Sequence, residues 1–242
     1  MQGRRLPQRT RGRVPGTSAP LQLIAIDLDG TLVDSVKDLH QAVNRMQSGL
    51  SLPLASEAEV LGWVGNGIDR LVHRALTADM QADADAELFE RASAAFRQAY
   101  GNMVGHYSRL YPGVLKGLDW MASLAVPLVV VTNKDSVFAN ALLQQLGIRH
   151  YFRHLVGGDD ISAKKPDPEG LLVAARLCAA EPQHSLLIGD SISDFRAAAA
   201  AGFYCVGLSY GYNHGQAIDG LDAADAPDTV LDSFLELPAL LT

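Results

Sequence analysis

Asp27-Leu28-Asp29-Gly30-Thr31-Leu32-Val33-Asp34-Ser35 follows directly on the apolar run Leu21 to Ile26 (LQLIAI), and this junction decides the fold. The run has the length of a buried strand, and Asp-Leu-Asp-Gly-Thr behind it has turn composition. The same grammar repeats downstream. PLVVV ends in Thr132-Asn133-Lys134, and a short strand over Phe152 to Val156 leads toward Lys164-Lys165-Pro166-Asp167-Pro168. SLLIG ends in Asp190-Ser191-Ile192-Ser193-Asp194, and YCVGL follows as a further strand. Helices are predicted between them, over about Val114 to Ala125, Asp135 to Leu146, Pro168 to Ala179 and Asp194 to Ala201. Uninterrupted apolar strands alternating with helices predict a parallel sheet covered on both faces, an α/β Rossmann-like core.

From Ser35 to Tyr107 the pattern changes. Apolar positions recur at three- and four-residue spacing in VKDLHQAVNRM, EVLGWVGNGIDRLVHRALT and DAELFERASAAFRQAYGNMV, with no β-branched run. This predicts an all-helical unit inserted after the first strand. The chain therefore divides into a core of residues 21–34 plus 110–242 and an inserted unit of residues 35–109. Trp63, Phe89, Phe96 and Tyr100 fall at helical spacing and read as packing within that unit.

Charge is unevenly placed. The 242 residues carry a formal net charge of −7, yet the first 20 hold five arginines and no acid. The rest has 15 basic against 27 acidic residues, a net of −12. An acidic body lacks the basic face that nucleic-acid binding needs. Residues 1–20, rich in Gly and Pro and without an apolar face, read as a disordered basic tail, with a targeting segment or an over-long start as alternatives. The longest apolar stretch, Ser123 to Val131, is far too short to span a bilayer. Cys178 and Cys205 form neither a disulfide framework nor a zinc pattern, which points to the cytoplasm.

In open parallel sheets ligands bind beyond the carboxyl ends of the strands. Asp27, Asp29, Thr132, Asn133, Asp190 and Asp194 all lie directly after strands, with Lys164 and Lys165 in a neighbouring loop. Clustered carboxylates repel one another unless a cation sits among them, and oxygen donors without nearby His or Cys suit Mg²⁺. A lysine and a threonine hydroxyl beside that ion form a cradle for a phosphoryl group. One aspartate can then attack phosphorus while the other protonates the leaving oxygen. The chain has five lysines against 15 arginines, yet Lys134, Lys164 and Lys165 all sit at this rim.

These stretches, DLDGTLVDS, VTNK, KKPDP and GDSISD, resemble the four ordered motifs of the haloacid dehalogenase superfamily phosphatases, over essentially all of residues 21–242. The resemblance implies Asp27 as nucleophile and Asp29 as general acid and later base, with the Asp29 main-chain carbonyl on the metal. It further implies Thr132, Asn133 and Lys165 as phosphate-binding groups, Lys165 also serving catalysis. Asp27, Asp29 and Asp190 would hold Mg²⁺, supported by Asp194. Asp34 and Ser35 close the first motif at the hinge into the insertion, which resembles the family's helical cap.

Trp63 to Gly67 (WVGNG) with the helix behind it, and Tyr210 to Gly215 (YGYNHG), are similar to the bacterial phosphoglycolate phosphatase branch. That likeness implies 2-phosphoglycolate as substrate, with the cap turn facing it, where the backbone N–H groups of Asn66 and Gly67 and the Arg70 cation would suit a small anion. Asp135 stands where this branch commonly has proline, and as a favourable N-cap it is expected to do little damage. YGYNHG suggests no physical role beyond a surface or hinge position for His214.

Other readings stay open at this point. A phosphatase for a sugar or amino-sugar phosphate, or a sugar-phosphate mutase, shares all four motifs. A phosphate- or partner-binding module without turnover is the non-enzyme alternative. The expected partner is a small phosphorylated metabolite, with no nucleic acid and no membrane, and oligomeric state is not legible.

Overall fold

The computed structural model describes residues 12–241. Six strands form one parallel sheet: β1 (Leu23–Ile26), β4 (Leu128–Val131), β5 (His154–Val156), β6 (Ser185–Gly189), β7 (Tyr204–Leu208) and β8 (Thr229–Leu231), in the order β5-β4-β1-β6-β7-β8. A two-residue antiparallel pair, β2 (Val33–Asp34) with β3 (Arg109–Leu110), lies outside it. The alternation of side chains along a strand builds two cores. Ile24, Ile26, Val130 and Ile188 pack on one face against α5 (Val114–Ser123) and α6 (Ser136–Gln145). Leu23, Ala25, Val131 and Leu187 pack on the other against α7 (Glu169–Cys178) and α8 (Ile192–Ala201). This two-sided burial is why these strands are apolar at every position.

Helices α1 (Val36–Gly49), α2 (Glu57–Trp63), α3 (Ile68–Thr77) and α4 (Ala86–Gly101) lie between β2 and β3 and share a separate core. Val43, Val60, Val72 and Phe96 are fully buried there. The turn expected at the VGNG stretch separates α2 from α3 at Val64–Gly67. Gly67 has φ +86°, a conformation that side chains resist, and a Cβ there would lie 2.8 Å from Lys164 Nζ.

The chain crosses between sheet and helices twice, and the crossings are tied together. Beyond the β2–β3 pairing, the buried Asp38 carboxylate accepts bonds from the Gly105, Tyr107 and Ser108 amides and the Ser108 hydroxyl. Neither feature is visible in the periodicity, and β8 and α9 (Leu237–Leu241) were also unanticipated. Two-residue strands and a lone buried acid carry no repeating signal.

The disordered tail expected over residues 1–20 needs correction at its inner end. Residues 1–11 lie outside the described residues. Residues 12–20 fold back as a bend, with Arg13 bridged to Pro20, its amide donating to Leu241 O and Val14 buried against the sheet core. One apolar side chain and a few backbone bonds anchor a stretch whose composition alone reads as disordered.

Candidate active site

The chain runs from β1 to β4 and β5 on one side, then to β6, β7 and β8 on the other. This places the topological switch at β1, and the crevice beyond it is the expected ligand site. Asp27 and Asp190 follow the two neighbouring strands β1 and β6, and Asp194 sits in the first turn of α8. Oxygens of Asp27, Asp190 and Asp194 lie within 4.8 Å of one another, and all three residues are buried.

Each is held differently. Asp194 accepts from the Asp190 and Ser191 amides, the Ser191 hydroxyl and Lys165 Nζ at 2.5 Å, so it is fully committed. Asp190 accepts from Thr31 Oγ1 at 2.5 Å and from the Tyr212 amide at 2.7 Å. Asp27 Oδ1 has Lys165 Nζ at 2.8 Å but accepts no aligned hydrogen bond, although it is buried.

Burial pushes the Asp27 carboxyl up to about 6, with Lys165 pulling it down and Asp194 pushing it further up. Burial, with Asp194 and Asp27 beside it, raises Asp190 well above the ordinary range. Burial disfavours charge on Lys165 too, but Asp194 and Asp27 outweigh it and hold the ammonium protonated above its usual range. One ammonium among three buried carboxylates leaves an excess of negative charge and an unbonded oxygen at Asp27. An all-oxygen donor set of this kind fits a hard divalent cation.

Asp29 is held by a separate set of partners. Its Oδ1 accepts from Ser35 Oγ at 2.5 Å, and its Oδ2 pairs with Lys134 Nζ at 2.8 Å. The buried Lys134 ammonium lies 4.8 Å from the centre of the Tyr100 ring, on α4. Burial works against its charge, but Asp29 and Tyr100 more than compensate and raise it above the normal lysine range. Lys134 was legible only as a lysine beside the site, and Tyr100 only as packing. The structure puts both around Asp29.

Two cavities meet here, both lined by Asp27, Asp29, Val64 and Gly65. The larger, about 430 Å³, is closed by Leu39, Gly67, Ile68 and Leu71 from the helices and by Thr132, Asn133 and Lys134 from the sheet rim. The other, about 300 Å³, adds Lys165, Asp190, Ser191, Ser193 and the Tyr212–His214 loop. The Val64–Gly67 turn thus sits over the carboxylates.

Of the three residues expected to face substrate from the helices, Arg70 and Asn66 are not among the residues lining the two cavities. Arg70 bonds Asp83 at 2.9 Å and the Ala82 carbonyl, outside both cavities. Ile68 and Leu71, three apart on α3, take the cavity face, and Arg70 falls off it. Asn66 Oδ1 is taken by Arg74 Nη2 at 2.8 Å. Arg74 also bonds the Trp63 and Met80 carbonyls, so it braces the turn from behind. Gly67 does line the larger cavity. The Asn133 side chain, expected on phosphate, bonds Gly65 O, Lys165 O and the Lys165 amide, stitching the turn to the Lys165 loop. Asp135 precedes α6 in the N-cap position without capping it. Its carboxylate pairs with Arg97, which also reaches Asp69 at 2.9 Å, while Asp159 accepts from the Ser136 amide.

Comparison with known proteins finds relatives over most of the chain. Residues 21–202 match the sequence model of the haloacid dehalogenase-like hydrolases. A phosphoglycolate phosphatase of Nitrosococcus oceani is 45% identical over 91% of this chain and 96% of its own length. One from Pseudomonas putida is 46% identical over 92% of this chain and 80% of its own. The crystal structure of a predicted phosphoglycolate phosphatase from Haemophilus somnus is similar with a TM-score of 0.83 at 35% identity, covering 90% of this chain and 97% of that one.

Proposed function

The chain belongs to the haloacid dehalogenase-like hydrolases and is a phosphoric monoester hydrolase, and from that premise we propose that it converts 2-phosphoglycolate to glycolate and phosphate with Mg²⁺. The observation that carries the chemistry is Asp27 Oδ1, a buried carboxylate oxygen without an aligned hydrogen bond, on the wall shared by both cavities.

In the proposed reaction an Asp27 oxygen attacks phosphorus and the ester P–O bond breaks. Asp29 gives a proton to the departing glycolate oxygen, leaving the phosphoryl group on Asp27. Asp29 then takes a proton from water as that water attacks phosphorus. The Asp27–phosphorus bond breaks and inorganic phosphate leaves. Lys165 and Thr132 hold the phosphoryl oxygens, and Lys165 offsets the repulsion between Asp27 and Asp194. Asp27, Asp190 and the Asp29 main-chain carbonyl would hold Mg²⁺, supported by Asp194. The ion supplies the positive charge that lets an anionic carboxylate approach an anionic phosphoryl group.

The substrate assignment draws support from the relatives and from the larger cavity. Leu39, Val64, Ile68 and Leu71 offer no side-chain hydrogen bonds, which suits a two-carbon substrate better than a polyhydroxylated sugar. Helix α3 begins at this wall with Gly67 and Ile68, so the positive end of its backbone dipole lies beside the place for a carboxylate. Residues 35–109 serve in this reading as a cap that keeps bulk water from the aspartyl phosphate. Two free cysteines, Cys178 and Cys205, accord with a cytoplasmic location. Among the described residues no helix is long and apolar enough to cross a membrane.

The test is kcat/KM with Mg²⁺ over 2-phosphoglycolate, several sugar phosphates, pyrophosphate and a nitrophenyl ester, with Asp27→Asn as blank. We expect 2-phosphoglycolate to lead by about two orders of magnitude or more, equivalent to about 3 kcal/mol of differential transition-state binding. A flat profile or another winner overturns the substrate while leaving the phosphatase.

A further inference from the structure

The Tyr210–Gly215 loop after β7 has no part in the reaction above, yet it touches both carboxylate sites. We propose that Tyr212 is a positioning residue for Asp29, acting through Ser35. The inference rests on the reading of Asp29 as the acid that protonates the leaving oxygen.

Ser35 occupies the N-cap position of α1, where a serine hydroxyl ordinarily accepts from an amide of the first turn. Here it makes no such bond and instead donates to Asp29 Oδ1 at 2.5 Å. The Ser35 and Val36 amides are met instead from across the chain. Tyr212 Oη accepts from the Ser35 amide at 2.6 Å and the Val36 amide at 3.0 Å, and donates to Asp34 Oδ1 at 2.9 Å. A phenolic hydroxyl has one proton and two lone pairs, and all are used.

The same residue is fixed at its other end. The Tyr212 amide donates to Asp190 Oδ2 at 2.7 Å, and Gly211 permits the approach, since a Cβ there would lie 2.0 Å from the Asp190 side chain. Tyr212 therefore spans from the metal-facing carboxylate to the start of α1 and pins the backbone of Ser35, whose hydroxyl bonds Asp29. Without Oη, the Ser35 amide loses its acceptor and the Val36 amide keeps only Asp34 Oδ1 at 3.4 Å, so the backbone that carries the Ser35 hydroxyl to Asp29 is no longer pinned.

A leaving-group series distinguishes this role from general support of the fold. The value of kcat/KM is measured over aryl phosphates of graded leaving-group pKa for the wild type, Asp29→Asn, Ser35→Ala and Tyr212→Phe. A displaced acid harms poor leaving groups and spares good ones. For Tyr212→Phe we expect a loss of about tenfold or more with phenyl phosphate and less than about twofold with nitrophenyl phosphate, in the direction of Asp29→Asn. Ser35→Ala should show the same tilt. In the metal-free protein, Tyr212→Phe should also speed hydrogen exchange at the Ser35 and Val36 amides. A uniform loss across the series, or none, overturns the role of Tyr212. If Asp29→Asn itself shows no tilt, the acid reading falls and takes this proposal with it.

Discussion

At the sheet rim, Asp27, Lys165, Asp190 and Asp194 come from three stretches of chain and are joined by bonds of 2.5–3.3 Å in a buried, strongly charged cluster. The helical wall facing them across the larger cavity presents Leu39, Val64, Ile68 and Leu71, and its arginines turn outward or backward. The rim supplies charge that changes during bond making. The wall supplies shape and dryness. Substitutions at the rim should therefore act on the chemical step, and those in the wall on substrate binding and on the integrity of the turn.

The largest expected effect is at the rim. Asp27→Asn should lower turnover by about four orders of magnitude or more, because it removes the attacking oxygen. It should also stabilise the metal-free protein. A carboxyl whose folded pKa is raised to about 6 is ionised in the fold at a cost. That cost is fully present above about pH 6 and fades as pH falls toward the unfolded value near 4. Asparagine carries none of it. Urea melts with a chelator should show a gain on the order of 2 kcal/mol at pH 8, shrinking at pH 5 and gone near pH 4. A loss of stability at pH 8 would mean that the Lys165 pairing, not burial, governs Asp27.

Next comes the wall. Arg74 is buried and holds the Trp63 and Met80 carbonyls and Asn66 Oδ1. Arg74→Ala leaves those buried acceptors unpaired, and a cost of about 2–3 kcal/mol is expected in denaturant melts. With the Val64–Gly67 turn loosened, KM for 2-phosphoglycolate should rise about tenfold while kcat changes less. A fall in kcat alone would show the turn taking part in the chemistry and erase the contrast with the rim.

The same contrast explains what the sequence disclosed. Asp27, Thr132 and Asp190 each follow an apolar strand of four or five residues, and the parallel order brings those strand ends to one edge, so position along the chain sufficed for them. Lys165 and Asp194 were placed by their loops and spacing. The wall offered only helical period, which says that α3 has a buried stripe but not which neighbour lies opposite. Arg70 and Arg74 sit four apart and look alike in such a pattern. The Ser35–Tyr212 contact joins residues 177 apart through a backbone amide, which no local pattern records. Lys134 lay between the two cases, near the site by position but with its Asp29 partner visible only in three dimensions.

A smaller effect is expected from the bend at residues 12–20. Removing residues 1–20 takes away the buried Val14 and the Arg13 amide bond to Leu241 O. Stability should fall by about 1–2 kcal/mol, the scale of one buried valine, with kcat and KM unchanged because the bend meets the amino end of β1, the opposite end of the strand from Asp27. Unchanged stability would return residues 12–20 to the tail.

The smallest effect should come from Arg70, the residue whose charge and place on α3 suggested a substrate contact. Its guanidinium reaches Asp83, whose side chain is 73% exposed, and the Ala82 carbonyl, and it lines neither cavity. An ion pair this open to solvent contributes little. Arg70→Ala should leave kcat and KM for 2-phosphoglycolate within about twofold of the wild type, and so should an aryl phosphate lacking a carboxylate. Measured beside Arg74→Ala, it sets a solvent-exposed arginine of α3 against a buried one a single helical turn away. A rise in KM for the carboxylate substrate alone would mean that Arg70 leaves Asp83 when substrate binds. The wall would then supply charge as well as shape.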